Sequence, residues 1–222
     1  GLAKLIDAGA ETRIEDELSD RYGGARAVWP ETRVKRRTPI VLLEPLDRAN
    51  EAALGYDMFS EPVRRAAMQR ALDTGSGAAS GPVDLVQEVT GEKQGGFLYY
   101  LPFPDQLAMS HRASGAEPPA VEGFIYAPFV AADIHREALV GASYLPLVLE
   151  TRDTTDGDDT LLFQSNHFTE VSETSSFTVT RDLDVGGRIW SITAHETKEF
   201  LNPSLYWRTG LLMISTILLA IA

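Results

Sequence analysis

Aromatic side chains concentrate in the middle of this 222-residue chain, where their rings could bind a small molecule. They are Tyr56, Phe97, Tyr99, Tyr100, Phe103, Phe124, Tyr126 and Phe129. Flat rings with one or two convergent polar groups are typical of small-molecule pockets. The same pattern is also typical of an aromatic core that binds nothing, and the spacing alone leaves both alternatives open.

Asp57 is the polar residue best placed to act with these rings. It follows the apolar segment Ala-Ala-Leu-Gly-Tyr and precedes Ser60, the predicted N-cap of a helix. A carboxylate there could accept hydrogen bonds from the N–H groups of a ligand. It could equally accept them from the backbone amides of the turn into the helix, so both interpretations stay open.

Catalytic patterns are absent from the sequence. The four histidines form no HxH or HExxH pair, no G-x-S-x-G segment occurs, and there is no cysteine. The glycine-rich segment 75–81 lacks the spacing and the lysine of a phosphate loop, and we interpret it as a flexible connection. The Asp-rich segment 153–159 is typical of a turn or of a calcium site, and we favour the turn. We therefore expect no catalysis, metal or cofactor in residues 1–222.

The net charge of −12 excludes further classes of partner. Proteins bind nucleic acids and anionic lipid surfaces mainly by neutralising phosphates with Lys and Arg. We therefore expect no nucleic-acid partner. Without cysteine the chain has neither disulfides nor Cys-ligated zinc, although an oxidising compartment remains possible.

The hydrophobic pattern predicts an α+β fold. Residues 1–20 have helical spacing, and a second helix is predicted from the Ser60 cap to Gly75. Strands are predicted over 39–46, 83–89, 96–103 and 123–130. A second unit is predicted to contain a helix at 133–139 and strands at 144–153, 160–165, 177–185 and 188–194. Alternation predicts that Phe97, Tyr99, Leu101 and Phe103 share one face.

The last residues are predicted to start a membrane helix. Residues 210–222 are apolar and uncharged, although the run is shorter than the roughly 20 residues of a full span. Tyr206, Trp207 and Arg208 precede it, as interfacial anchors do. The alternative is a buried C-terminal core helix.

Several segments together resemble the CHASE domain, an extracytoplasmic sensor module of bacterial receptors and of plant cytokinin receptors. The longest are NEAALGYDMFSEPVRRAAMQRALDTG (50–75), GPVDLVQEVTGEKQGGFLYYLPF (81–103) and EGFIYAPF (122–129). VLLEPL (41–46), LLFQS (161–165) and GRIW (187–190) add to the resemblance. It extends over roughly residues 32–193.

The resemblance implies a particular organisation. A long N-terminal signalling and dimerisation helix (1–28) would precede a membrane-distal PAS-like ligand-binding unit (29–142) and a membrane-proximal PAS-like unit (143–205). The start of a transmembrane helix (206–222) would follow. The implied protein is a homodimeric receptor of the inner membrane with this domain in the periplasm. Its output enzyme would be a histidine kinase or a nucleotide or diguanylate cyclase.

The resemblance also implies a ligand site. In the plant relatives an aspartate matching Asp57 bonds the purine edge of the hormone, and an aliphatic side chain near Val83 packs on the ring. Tyr56 stands here where those receptors have leucine, and its larger ring would narrow the cavity. We therefore expect a ligand that differs from the plant hormone: another purine, another heterocycle or a different metabolite. The predicted ligand-binding residues are Asp57, Tyr56, Val83, Leu85, Phe97, Tyr99, Phe124 and Tyr126. The alternative function is a structural or protein-interaction ectodomain without a small-molecule ligand.

Overall fold

The computed structural model describes residues 1–83, 96–104, 120–140 and 146–200. Its first part contains strands β1 (Leu2–Lys4), β2 (Ile6–Asp7), β3 (Arg36–Arg37), β4 (Ile40–Leu42), β5 (Ala78–Ala79), β6 (Gly96–Pro104) and β7 (Val121–Val130). The helices there are α1 (Glu11–Tyr22), α2 (Arg48–Ala52), a 3-10 turn (Met58–Ser60) and α3 (Pro62–Thr74). The chain then continues through α4 (Ala131–Val140), β8 (Leu147–Asp153), a 3-10 turn (Thr155–Gly157), β9 (Thr160–Gln164), α5 (Phe168–Ser172), β10 (Thr178–Asp184) and β11 (Ile189–Glu196).

The strands form antiparallel sheets, so the predicted α+β class is confirmed. The first sheet has the order β4-β1-β7-β6-β5 and the second has the order β10-β11-β8-β9, while β2 and β3 pair separately. Strands β6 and β7 pair along nearly their whole length, from Gly96 opposite Val130 to Pro104 opposite Val121. The strands predicted over 96–103 and 123–130 are therefore confirmed, as is the hairpin of β10 and β11.

The prediction of a helix over residues 1–20 is wrong for its first half. Residues 2–4 form the inner strand β1 between β4 and β7, and the helix α1 begins only at Glu11. Leu2, Leu5 and Ile6 fit a helical spacing, but so short a pattern does not distinguish a helix turn from two short strands. Ala3 is fully buried in the sheet, so pairing with two neighbouring strands outweighs the local pattern.

The main core lies between one face of the first sheet and the helices. Ile14 and Leu18 of α1 and Met68 of α3 are buried against it together with Tyr100 and Phe124 of the sheet. The opposite face of β6 carries Phe97, which packs with Ala79, Ala131 and Trp190 in a second cluster. The two faces of β6 therefore serve two different packing contacts, as the alternation of a central strand requires.

Two local predictions around α3 are corrected. The N-cap is Glu61, whose carboxylate accepts from the amides of Val63 and Arg64, whereas Ser60 ends the preceding 3-10 turn. The segment 75–81 is not a flexible connection, because it contains β5, which pairs with β6 and is buried. Gly75 ends α3, as predicted, and it does so in the left-handed conformation.

Several sequence predictions fall outside the described residues. They are the strand over 83–89 beyond Val83, the site residue Leu85, and the apolar run 210–222. Val83 itself is buried and bridges to Gly96. In the ranges that the structure describes, no helix is both long and apolar enough to cross a membrane.

Candidate ligand-binding site

Backbone hydrogen bonds fix the segment that carries Asp57. The amide of Gly55 donates to Ile40 O at 2.9 Å, the amide of Ile40 donates to Tyr56 O at 3.1 Å, and the amide of Asp57 donates to Trp29 O at 2.6 Å. Gly55 has a positive φ of 79°, and a Cβ atom there would lie 2.2 Å from Ala27 O. Glycine is therefore needed for this turn, which delivers Asp57 into the core.

Only one oxygen of the Asp57 carboxylate accepts hydrogen bonds from the described residues. Its Oδ1 accepts from the amides of Thr38 at 2.8 Å and Phe59 at 3.0 Å, so the capping alternative is confirmed for that oxygen. Asp57 is 0% exposed, and no donor among the described residues reaches Oδ2. Buried polar atoms are nearly always paired, and an unpaired one costs about 1–3 kcal/mol. Among the described residues, Oδ2 is therefore a buried acceptor without a donor.

Burial raises the pKa of Asp57 above its ordinary value of 3.8, because it removes water from the charged form. The amide hydrogen bonds from Thr38 and Phe59 and the positive charge of Arg37 oppose this rise, whereas the charge of Glu11 adds to it. The ionised form thus lacks full compensation within the described residues. A ligand N–H group donating to Oδ2 would stabilise that form and lower the pKa again.

Cationic and aromatic side chains surround this segment. The Tyr56 ring lies 4.8 Å from the Trp29 ring, and the guanidinium of Arg64 lies 5.3 Å from the centre of the Tyr56 ring. Arg37 is buried, pairs with Glu11 at 2.8 Å and donates to Thr32 O at 2.9 Å. Tyr56 is thus held between a ring and a cation.

The sheet contributes a second group of rings to the same core. The ring of Tyr100 lies 6.1 Å from those of both Phe124 and Tyr126, and its hydroxyl donates to Met58 Sδ at 3.7 Å. Burial raises the pKa of both tyrosines, so their hydroxyls stay protonated donors. The Tyr126 hydroxyl is buried, and no described residue bonds it. Like Asp57 Oδ2 and the Thr38 hydroxyl, it is a buried polar group without a partner among the described residues.

The predicted site residues fall into two groups. Val83, Phe124 and Tyr126 belong to the main core, and the half-buried Tyr56 packs against it. Asp57 is fully buried and stands in the chain between Tyr56 and the core residue Met58. Phe97 and Tyr99 are on the opposite face of the sheet, beside Trp190 and Ala79. The structure therefore does not bring these two residues together with Asp57, because neighbouring positions on β6 alternate between faces.

Sequence reasoning missed three residues near this site. Tyr100 was recognised as part of the aromatic group but not assigned to the site, and the alternation around Tyr99 was the signal that could have found it. Thr38 and Arg64 had no such signal, because they approach Asp57 and Tyr56 through tertiary contacts. Arg64 is buried despite its charge, on the turn of α3 that faces the core.

A cavity of about 470 Å³ beside the second sheet offers a weaker candidate. It lies between α5 and the end of β11, beside Glu196. Both oxygens of Glu196 already accept hydrogen bonds from residues 175–177, and the Ser175 hydroxyl bond lowers its pKa to about 2. The Glu196 carboxylate therefore stabilises the loop at residues 175–177, and neither of its oxygens is left to accept a hydrogen bond from a ligand.

Within the described ranges, no group of three or more His, Cys, Asp or Glu side chains could hold a metal ion. A family model for the CHASE domain matches residues 1–163 of the 222, and the chain belongs to this family. It is therefore an extracellular sensory domain of the kind found in signalling receptors. No curated protein matches the chain.

Proposed function

We propose that this domain senses a small molecule bearing an N–H donor, which binds Asp57 Oδ2. The observation that carries the proposal is the carboxylate that is 0% exposed and bonded on one oxygen only. A carboxylate accepting from a ligand N–H forms a charge-assisted hydrogen bond, about twice as strong as a neutral one. Nearby aromatic rings supply an apolar surface for a flat heterocycle, such as a purine.

The ligand would act by a shift between two arrangements of the domain. It can move that equilibrium only by the difference between its affinities for the two states. The change would pass from the first sheet through the second to a membrane helix starting within residues 206–222. In this proposal the domain lies in the periplasm as part of a homodimeric receptor. A histidine kinase or a nucleotide or diguanylate cyclase would convert the change into output.

The test compares carboxylate and amide at position 57 in the purified chain. Asp57→Asn keeps an acceptor for the amides of Thr38 and Phe59 but replaces Oδ2 with a donor. The matched control is Asp47→Asn, because Asp47 caps α2 through the same kind of bond, to the Asn50 amide at 2.8 Å, on the surface. A panel of N–H heterocycles including adenine is screened by thermal shift, and hits are measured by calorimetry.

We expect at least one heterocycle to stabilise the wild type and the Asp47→Asn variant. Asp57→Asn should fold but bind that compound about 10- to 100-fold more weakly, because a hydrogen bond to a charged group contributes about 1.5–3 kcal/mol. Equal binding by Asp57→Asn would contradict the assignment of Oδ2. If no compound binds, the function as a protein-interaction ectodomain is favoured.

A further inference from the structure

A second cavity, of about 440 Å³, lies where the first unit meets the second sheet. Helix α3 provides one wall, through Val63, Ala66 and Arg70. Asp158 and Arg188 provide the opposite wall, from the turn before β9 and the start of β11. A molecule bound there would touch both units, and it would be separate from Asp57, which does not line this cavity.

Arg188 is a buried cation whose Nε edge is already bonded to a carboxylate. It is 8% exposed, and its Nε donates to Asp153 Oδ2. Asp153 is itself held, because its Oδ1 accepts from the amide of Thr155 at 3.1 Å and from its hydroxyl at 2.6 Å. Asp153 and Thr155 thus hold the Arg188 guanidinium in place from the side away from the cavity.

The other edge of the Arg188 guanidinium is available to a ligand. Its Nη2 lies 3.6 Å from Asp158 Oδ2, and its terminal nitrogens make no hydrogen bond to any described residue. Asp158 is 63% exposed at the side chain, so that contact is weak and replaceable. The end of the guanidinium lies beside Gly81, where a Cβ atom would be 3.4 Å from Cζ.

Arg70 brings a second guanidinium to the same cavity. Its Nη1 donates to Ala79 O at 3.1 Å, and its stem packs on Gly187, where a Cβ atom would lie 2.7 Å from Arg70 Cδ. Two arginines and one carboxylate, that of Asp158, are the charged residues around the cavity. With Asp153, which pairs with Arg188 from behind, the charges of the two arginines are balanced, so the cavity offers the N–H edges of two guanidinium groups without a net positive charge.

The remaining wall is apolar and built of small side chains. It comprises Pro62, Val63, Ala66, Ala67, Ala79 and Pro82. Gly81 lies among them, and a Cβ there would approach Val63 Cγ1 to 3.2 Å. An apolar wall beside two guanidinium groups suits a molecule that carries one anionic group on an apolar body.

We infer that this cavity binds a small carboxylate with an apolar body, whose carboxylate contacts the Arg188 and Arg70 guanidiniums. The planar guanidinium presents paired N–H donors that match the two oxygens of a carboxylate. The apolar body would lie against Val63 and Ala66 of α3. Because the cavity is lined by both units, the bound carboxylate would favour the arrangement in which α3 faces β11.

The test uses benzoate and hexanoate as probes on the purified chain, measured by calorimetry and thermal shift. Benzamide is the neutral counterpart of benzoate, and inorganic phosphate tests for general anion binding. Ala66→Glu places a carboxylate at the apolar wall, and Ala52→Glu makes the same change on the exposed surface of α2. Arg70→Gln removes one cation. Arg188 is left intact because its loss would leave Asp153 buried without its cation.

We expect a carboxylate probe to bind at least tenfold more tightly than benzamide or phosphate, with affinity falling as salt rises. Ala66→Glu and Arg70→Gln should each weaken binding at least tenfold, while Ala52→Glu and Asp47→Asn leave it unchanged. Equal binding of benzamide, tighter binding of phosphate, or equal effects of the two Ala→Glu changes would each overturn the inference. So would the absence of binding by both carboxylates.

Discussion

Asp57 has a structural role on one oxygen, and its other oxygen carries the proposed binding role. Oδ1 holds Thr38 and the 3-10 turn at Phe59, whereas Oδ2 is buried without a partner among the described residues. Sequence reasoning presented capping and ligand binding as alternatives. A carboxylate has two acceptor atoms, however, so both can hold at once. The structural role belongs to Oδ1, and the proposed binding role belongs to Oδ2 of the same side chain.

The raised pKa of Asp57 predicts a specific pH dependence of stability. Between its ordinary value of 3.8 and its higher value in the fold, the folded state binds more protons than the unfolded state. The free energy of unfolding must therefore fall as pH rises through that window. Asp57→Asn removes this contribution, because an amide does not titrate.

The measurement is chemical denaturation of the unliganded wild type and Asp57→Asn from pH 3 upwards. We expect the stability of the wild type relative to the variant to decrease as pH rises above about 4, and then to level off. A difference that stays constant with pH, or that grows as pH rises, would contradict the burial of an incompletely compensated charge at Asp57.

At the scale of elements, glycines determine where the chain turns before Asp57 and where α3 ends. Gly55 and Gly75 both have positive φ, of 79° and 65°. Their surroundings differ, because a Cβ on Gly55 would meet Ala27 O at 2.2 Å, whereas a Cβ on Gly75 would have nothing within 4 Å. One glycine is needed for conformation and close approach, the other for conformation only.

This pair gives a matched prediction for Gly→Ala. Gly75→Ala should cost about 1–2 kcal/mol, the strain of a left-handed residue with a Cβ. Gly55→Ala should cost a further 1–3 kcal/mol or so, because the backbone around Ala27 must move. Urea denaturation of both variants checks the order. Equal losses would mean that the approach of residues 27 and 55 is not tight.

At the scale of the whole molecule, an aromatic cluster joins the two main sheets. Trp190 of β11 meets Phe97 of β6 edge-on at 5.1 Å, and its ring lies 6.1 Å from that of His135 on the linking helix α4. His135 stacks on Phe163 at 4.5 Å, and its Nε2 is 2.8 Å from the Thr151 hydroxyl. A signal from the first sheet would reach the second through these contacts.

Trp190→Ala should therefore weaken the coupling between the sheets as well as the stability. We expect a loss of about 3–5 kcal/mol, typical of a buried tryptophan, and separate unfolding transitions for the two sheets. Trp29→Ala, which truncates a tryptophan that is 37% exposed on the first unit, should lower the midpoint but keep one transition. Calorimetric unfolding curves distinguish these outcomes. A single transition in Trp190→Ala would contradict the coupling role.

Local sequence patterns were enough to predict the long elements, and the family resemblance was enough to predict the class of protein. Strands β6 and β7, helix α3 with its Gly75 end, and the β10–β11 hairpin follow from apolar periodicity and turn residues, which act over short distances along the chain. The segments of the CHASE resemblance contain Asp57. The absence of cysteine and the charge of −12 also follow from composition alone.

Tertiary structure decided which of these residues meet. Alternation shows that Phe97 and Tyr100 lie on opposite faces of β6, but only the packing reveals that Tyr100 faces the core of Asp57 and Phe97 faces Trp190. Contacts between distant parts of the chain decide the burial of Ala3 in a strand and the placement of Arg70 and Arg188 on one cavity. They also decide the position of Asp57 Oδ2, which has no partner among the described residues. Local propensity carries no information about such contacts, because their energy arises only when the elements pack.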